Sequence, residues 1–126
     1  MDSRIKGFIR GAALTNTGDQ IIPMITGGVW IPQGIVFANP NIDLSLWGTR
    51  GFKLYTGPGA TGVLLSDAGI LGFVPGQAWE YDVYKPGGGG VAMPVLAPGT
   101  PLYLRFYSGA PAGATVDVLM QALEIS

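Results

Sequence analysis

The sequence predicts an all-β domain built as a two-sheet antiparallel β-sandwich, with a jelly roll as the simplest topology. From residue 20 onward, short apolar runs rich in β-branched and aromatic residues alternate with Gly, Pro, Asn and Asp. Glycine (21) and proline (10) are together about twice as frequent as in average domains, which indicates many turns. No stretch of the sequence favours a long helix. An immunoglobulin-like sandwich and a small barrel are the alternative topologies.

Eight strands are expected, at residues 20–25, 29–38, 51–56, 62–65, 70–74, 79–84, 102–107 and 114–125. In residues 102–107 apolar even positions alternate with Tyr, Arg and Tyr, which predicts a half-buried strand. Pro23 and Pro32 interrupt apolar runs and predict edge strands or bulges, because proline cannot donate to the ladder. The last segment contains good helix formers, so a helix is its alternative, but its alternation favours a strand.

Residues 1–14 are predicted to be an N-terminal arm, and residues 15–126 to be the sandwich domain. Residues 1–11 hold three basic side chains against one acidic side chain, and Ile5 and Ile9 are interleaved with small or charged residues. Such an arm becomes ordered on a neighbouring subunit. The alternative is that the segment is the first strand of the domain's own sheet.

The surface is expected to be short of charge. The chain is 48% hydrophobic, has a net charge of −1 and therefore folds rather than remaining disordered. Its 7 basic and 8 acidic side chains leave one charge per about 430 Å² of folded surface, against about 200 Å² in an ordinary domain. Such a surface promotes self-association unless a partner covers it. The alternative is that uncharged polar side chains and exposed backbone supply the missing polarity.

Nucleic acid and membranes are not expected partners. The seven basic residues are scattered along the chain and form no stripe that could follow a phosphate backbone. No apolar stretch reaches the roughly 18 residues of a membrane span. The N-terminal sequence also lacks the apolar run of a signal peptide.

The composition excludes most common catalytic chemistry. The chain has no Cys and no His, and so lacks disulfides, thiolate nucleophiles and the usual structural zinc ligands. Glu80 and Asp82 would share one face of a strand, as an acid/base pair requires. We favour instead a solvated strand face opposite Trp79, Tyr81 and Val83. No catalytic residue, cofactor or metal site is therefore predicted.

Two segments match ligand-binding patterns only in part. Residues 57–62 fit the G-x-G-x-x-G pattern of dinucleotide sites, but glycines and a proline interrupt the helix that must follow, which favours a turn between strands. Residues 39–43 begin like a calcium loop, but Leu44 and Arg50 stand where an EF-hand needs Gly and Glu. We expect Asn39 to hydrogen-bond to the backbone at the end of a strand.

Several segments resemble a group of small bacteriophage and prophage proteins. The resemblance rests on residues 35–40 (IVFANP), 44–46 (LSL), 51–63 (GFKLYTGPGATGV), 102–104 (LYL) and 114–118 (ATVDV). It covers most of residues 15–125, and the chain departs from the pattern at Pro40 and at the glycines of residues 87–90. The resemblance implies a virion component, a capsid decoration or cement protein, often a trimer, that is made in the host cytoplasm and binds the major capsid protein on the capsid surface.

A cement protein stabilises the shell because it binds only the assembled form. The stabilisation is the sum of the contributions of many bound copies. The predicted contacts with copies or shell are Arg4, Ile5, Phe8, Ile9, Tyr103, Arg105 and Tyr107. The alternative function is a glycan-binding module of a phage tail fibre or spike, in which Trp30, Trp47 or Trp79 would stack on a sugar ring. Head-completion and tail-tube subunits are further assembly roles.

Overall fold

The computed structural model describes residues 3–43, 51–69, 75–76, 78–82, 94–107 and 110–125. These residues contain eight strands and no helix. The strands are β1 (Ser3–Ala13), β2 (Gln20–Ile22), β3 (Trp30–Ala38), β4 (Gly51–Gly57), β5 (Thr61–Gly69), β6 (Ala78–Asp82), β7 (Leu102–Phe106) and β8 (Thr115–Glu124). The all-β class is therefore confirmed, and the C-terminal segment is a strand rather than a helix. The strand expected at residues 70–74 lies outside the described residues.

The strands form two antiparallel sheets of four strands each. Sheet A has the order β1-β8-β3-β6, and sheet B has the order β2-β7-β4-β5. The pairing is nested, because β4 pairs with β5, β3 with β6, β2 with β7 and β1 with β8. The chain therefore resembles one long hairpin folded over on itself. The predicted two-sheet antiparallel sandwich is confirmed.

The core lies between the sheets and is built from the alternate residues of each strand. In β7 the even positions are buried and the odd positions are half buried, as the sequence predicts. Aromatic rings join the two sheets across the core. The rings of Phe37 in sheet A and Phe52 in sheet B pack edge to face with centroids 5.0 Å apart, and Phe106 lies 6.0 Å from Phe37.

The sequence allowed the N-terminal segment to be either a separate arm or a strand of the sheet. In the structure it is an edge strand of sheet A. It pairs with β8 from Ser3, opposite Leu123, to Ala13, opposite Thr115. Two register shifts interrupt this pairing, one after Ile5 and one after Ile9. These bulges break the simple alternation that identifies a strand in a sequence. In this structure residues 3–13 therefore belong to the sandwich and not to a separate arm.

The two sheets meet at one corner, where β1 approaches the segment after β2. Gly7 forms an isolated bridge with Met24, and the Ile25 N–H donates to the Lys6 carbonyl at 2.7 Å. A Cβ at Gly7 would overlap the Met24 side chain, so glycine permits this close approach. The side-chain amide of Gln20 bonds to both the N–H and the carbonyl of Ala13. These contacts cover part of the outer edge of β1.

Both prolines lie where the sequence predicts them. Pro23 directly follows β2, which is an edge strand of sheet B. Pro32 lies within β3, at the shift in register with β8 between Pro32 and Gly34. The missing amide proton of each proline therefore falls at a strand end or at a bulge, where a regular ladder does not need it.

Replacing Phe37 by alanine is expected to lower the free energy of unfolding by about 3–5 kcal/mol, because a fully buried ring that joins the sheets leaves a cavity. Urea denaturation measures the loss. The control is Leu64→Ala, which is 44% exposed and should change stability by at most about 0.5 kcal/mol. A loss for Phe37→Ala no larger than that of the control would show that the ring cluster does not hold the sheets together.

Candidate functional site

The side chains of sheet B that point away from the core form a continuous surface, here called the outer face of sheet B. Cross-strand pairing aligns one row of this face as Ile21, Tyr103, Tyr55 and Leu64. Ile21 is 56% exposed, and the two tyrosines between the ends of the row are half buried. This row offers apolar and aromatic surface across all four strands, and its neighbour Val63 is also exposed.

The next row of the same face is charged and internally paired. The Nε of Arg105 donates to the Asp19 carboxylate at 2.6 Å, and Lys53 lies between Arg105 and Asp67 in the strand register. The Gly59 N–H also donates to Asp19, at 2.7 Å. The Gly59 N–H and then the Arg105 guanidinium hold the pKa of the Asp19 carboxyl below its ordinary value. Asp19 thereby ties the β4–β5 turn to β7.

Tyr107 completes this face beyond the end of β7. Its hydroxyl donates to the Asp67 carboxylate, and the Lys53 ammonium lies 5.5 Å from the centre of its ring. The hydrogen bond to Asp67, with burial, raises the pKa of Tyr107 to about 12. Three of the predicted contacts, Tyr103, Arg105 and Tyr107, therefore lie together on the outer face of sheet B.

The outer face of sheet A is formed by its side chains that point away from the core, and several of those near its centre are apolar. Its middle strands carry Leu119 and Leu123 on β8 and Ile31 and Val36 on β3, all half buried. Phe8 on the edge strand β1 is 40% exposed and pairs with Leu119. An antiparallel sheet with one solvated face normally places polar side chains outward. Sheet A instead carries these apolar side chains outward, and the polar side chains of Asp117 and Gln121 face outward beside them on β8.

Charged side chains lie at both edges of the outer face of sheet A and also on its middle strand β8, which carries Asp117. At the β1 edge, Lys6 lies 3.8 Å from the Glu124 carboxylate, and the Arg10 guanidinium lies 5.8 Å from the centre of the Phe8 ring. At the opposite edge, the β6 residue Glu80 is exposed. The basic side chains near β1 therefore have acidic neighbours in the same copy, Glu124 for Lys6 and Asp117 for Arg10.

An apolar groove lies at the corner where the two sheets meet. It has a volume of about 520 Å³ and is lined by Ile5, Lys6, Gly7, Phe8, Pro23 and Ile25. Residues 21–26 alternate between exposed and buried, so Ile21, Pro23 and Ile25 face outward together. Ile25 is 82% exposed. The groove connects the apolar parts of the two outer faces.

The predicted contacts of the N-terminal segment divide between surface and core. Ile5 and Phe8 are exposed, as expected of contacts, and line the groove. Ile9 instead packs against the core, because it pairs with Val118 on the inner side of sheet A. The side chain of Arg4 lies outside the described part of the structure.

The sequence missed the outer-face residues that become neighbours only through strand pairing. No sequence pattern singles out Tyr55, which lies next to Tyr103 because β4 pairs with β7. Leu119 interrupts the apolar-polar alternation of β8, which was a visible sign that this strand is apolar on both faces. Its apolar neighbour Val36 follows from the register of β3 and β8.

The tryptophans do not form a sugar-stacking platform among the described residues. Trp30 is fully buried, and its indole N–H donates to the Ala97 carbonyl at 3.0 Å. Trp79 is half buried and stacks on Tyr81 with ring centres 5.8 Å apart. The expectation that Trp30 is exposed to a glycan is therefore wrong, since pairing at the start of β3 places its ring in the core. Trp47 lies outside the described residues.

The calcium-like segment has a structural role. Asn39 adopts a φ of +52°, and its side-chain amide donates to the Asp117 carboxylate at 3.0 Å. Its partner is thus a side chain, whereas the sequence predicted backbone, because the left-handed turn directs the amide towards β8. The Asn39 amide and then the Gly11 N–H hold the pKa of Asp117 below its ordinary value. Asn41 bonds to backbone at Gly113 and Thr115.

The other two patterns also have structural explanations. Residues 57–62 form the turn between β4 and β5, which confirms the prediction of a turn over a dinucleotide site. Gly62 there has a φ of +73° and no room for a Cβ beside Thr56. Glu80 is exposed between the half-buried Trp79 and Tyr81, as a solvated strand face requires. The side chain of Asp82 and residue 83 lie outside the described part.

No family model, curated protein or solved structure matches the chain. Among the described residues, none of the acidic side chains form a group of three arranged to hold a metal ion. The same residues include no helix long and apolar enough to cross a membrane. Function is therefore inferred from the surfaces of the molecule itself.

Asp19→Asn is expected to destabilise the protein at neutral pH and much less in acid. The lowered folded-state pKa of Asp19 means that its charge stabilises the fold above the unfolded value of about 3.9. That stabilisation is lost as the pH falls through the folded-state pKa. Urea denaturation at a series of pH values measures the difference in the free energy of unfolding between parent and variant. This difference should become smaller in acid. A difference in the free energy of unfolding that stays constant with pH would contradict the hydrogen bonds assigned to Asp19.

Proposed function

We propose that this chain is a structural virion protein that decorates and stabilises a phage capsid by binding the assembled shell as a self-associating subunit. One observation carries the proposal: both outer faces of the sandwich present apolar or aromatic side chains, on a molecule whose whole surface carries few charges. The accessible surface of the isolated chain is 6284 Å². Its 15 charged side chains leave about one per 420 Å², roughly half the usual density. Contact with copies and shell would cover these faces.

The outer face of sheet B is the better candidate for the shell contact. Tyrosine and arginine are the residue types that most often dominate binding energy at interfaces, and this face carries Tyr55, Tyr103 and Arg105 together. The pairing of Arg105 with Asp19 holds the guanidinium in place before binding. A preorganised surface loses less side-chain entropy when it binds.

The mechanism is thermodynamic linkage. A protein that binds only the assembled shell shifts the equilibrium of the shell against expansion or disassembly by mass action. Each contact is modest, but the effect is summed over many copies on one particle. Such a role relies on surface complementarity and on no reacting group in the chain.

A jelly roll is the proposed finer description of the sandwich. The chain alternates between sheets A and B except at the β4–β5 hairpin, and the nested pairs β1–β8, β2–β7, β3–β6 and β4–β5 are those of two interlocked Greek keys. Jelly rolls build many viral capsid domains, and also lectins. The topology therefore agrees with the proposed function without deciding it.

Tyr103→Ala is expected to weaken binding to the shell about thirtyfold or more, as the loss of a central interface tyrosine does. The measurement is co-sedimentation of purified chain with shells assembled from the major capsid protein of the phage or prophage that encodes it. Ile125→Ala serves as the matched control, because Ile125 is exposed beyond β8, away from sheet B.

Saturable binding of the parent to assembled shells, with weaker binding of Tyr103→Ala alone, supports the proposal. Binding should also raise the temperature at which the shells open. If the parent chain does not sediment with the shells even at the highest concentration that the assay allows, the proposed function is wrong. Equal loss in both variants would exclude sheet B as the shell contact.

A further inference from the structure

We propose that Asp19 is a positioning residue for the contact of sheet B with the shell. Its carboxylate holds the turn between β4 and β5, residues 57–62, and the Arg105 side chain in the one arrangement that binds. The inference rests on the proposed function. It goes further because it adds the turn to the shell contact and identifies the side chain that fixes the turn there.

One carboxylate joins two elements that are not neighbours in the sheet. Asp19 directly precedes β2, which is one edge strand of sheet B, and residues 57–62 lead into β5, which is the other. The Gly59 N–H donates to one oxygen of Asp19 at 2.7 Å, and the Arg105 Nε donates to the other oxygen at 2.6 Å. Since β7 lies between β2 and β4, the turn reaches across β7 to make its bond.

The turn makes this crossing on the outer side of the sheet. Arg105 points outward, because its neighbours in β7, Leu104 and Phe106, are buried in the core. The Asp19 carboxylate that binds Arg105 therefore lies on the outer side as well. The tip of the turn, which is bonded to the same carboxylate, is thus held on the outer face of sheet B.

The strand register shows that the β4–β5 hairpin is bent back along this face. The hairpin closes at Gly57, which lies one row beyond the pair of Tyr55 and Tyr103. Asp19 lies on the opposite side of that pair, because it precedes Ile21, which pairs with Tyr103. Two register shifts supply the bend, since each places an extra residue in β5. A shell that covers the outer face therefore meets the turn.

The bond to Asp19, rather than packing, fixes the turn. Residues 58–62 are exposed and carry no side chain larger than those of proline and threonine. The Thr61 hydroxyl donates to the Pro58 carbonyl, which lies within the turn itself. In the part of the chain that the structure describes, the Asp19 carboxylate is therefore the group whose hydrogen bond ties the tip of the turn to the rest of sheet B.

An ordered turn and an ordered guanidinium favour binding, because their conformational entropy is already lost in the free chain. Asp19→Asn keeps the size of the side chain. Its amide has only one acceptor oxygen, however, and its NH2 group opposes one of the two donors. This variant is expected to bind assembled shells about tenfold more weakly than the parent.

Co-sedimentation with assembled shells compares the parent with Asp19→Asn. The matched control is Asp117→Asn on sheet A, because Asp117 also accepts from a glycine, the Gly11 N–H at 2.9 Å, and from a side chain. The control should keep parent-like shell binding, although it also loses hydrogen bonds of the fold. Thermal denaturation shows whether each variant is folded at the assay temperature. Hydrogen exchange of the Gly59 amide, followed by NMR on the free chain, should become faster in Asp19→Asn alone.

A double-mutant cycle on shell binding separates positioning from a general loss of stability. Arg105→Gln removes the guanidinium and is measured alone and together with Asp19→Asn. Because Asp19 acts in part through Arg105, the double variant should bind more tightly than the product of the two single losses predicts.

Four results would overturn this inference and leave the proposed function in place, provided that the parent binds the shells. They are parent-like binding of Asp19→Asn, equal weakening by Asp117→Asn, single losses that simply multiply in the double variant, and Gly59 exchange that Asp19→Asn does not accelerate. A parent chain that does not bind the shells refutes the proposed function and this inference with it.

Discussion

The structure depends on two neighbouring strands, β8 and β3, that carry apolar side chains on both of their faces. Their inner residues, including Phe37 and Val118, make the part of the core that sheet A contributes. Their outer residues include Leu119 and Val36, which are half buried and lie outside the core, beside outward polar residues such as Gln121. The same two strands therefore stabilise the isolated domain and give it a face that favours contact with another molecule.

Both outer faces pair charged side chains within one copy. On sheet B, Arg105 and Asp19 pair with each other, and Tyr107 bonds to Asp67, so the polar groups are satisfied within one copy. On sheet A, Lys6 lies near Glu124, and Arg10 interacts electrostatically with Asp117. Apolar and aromatic side chains are then the groups on both faces that favour contact with another molecule.

The sequence predicts those features that depend on neighbouring residues. The alternation of residues 102–107 identifies both the strand and the sides on which Leu104 and Arg105 lie. The turn at residues 57–62 follows from glycine and proline chemistry. Alternation fails in β1, because two bulges change the side on which residues lie, so that Ile5 is exposed whereas Ile9 packs against the core.

Features that depend on pairing between segments far apart in the chain cannot be predicted from a local sequence pattern. Trp30 is buried because segments more than sixty residues away along the chain fold over it, and its partner Ala97 gives no local signal. Likewise, Leu119 is visible as an apolar interruption in its own strand. Only the register shows that Val36 and Phe8 flank it to form one surface.

The temperature at which assembled shells open tests the central claim most directly, because a protein that binds only the assembled shell must stabilise it. The opening temperature is measured with and without added chain. The account predicts a rise that saturates with the parent chain and is smaller with the same concentration of Tyr103→Ala. An opening temperature that stays unchanged at the highest concentration of the parent chain would contradict it.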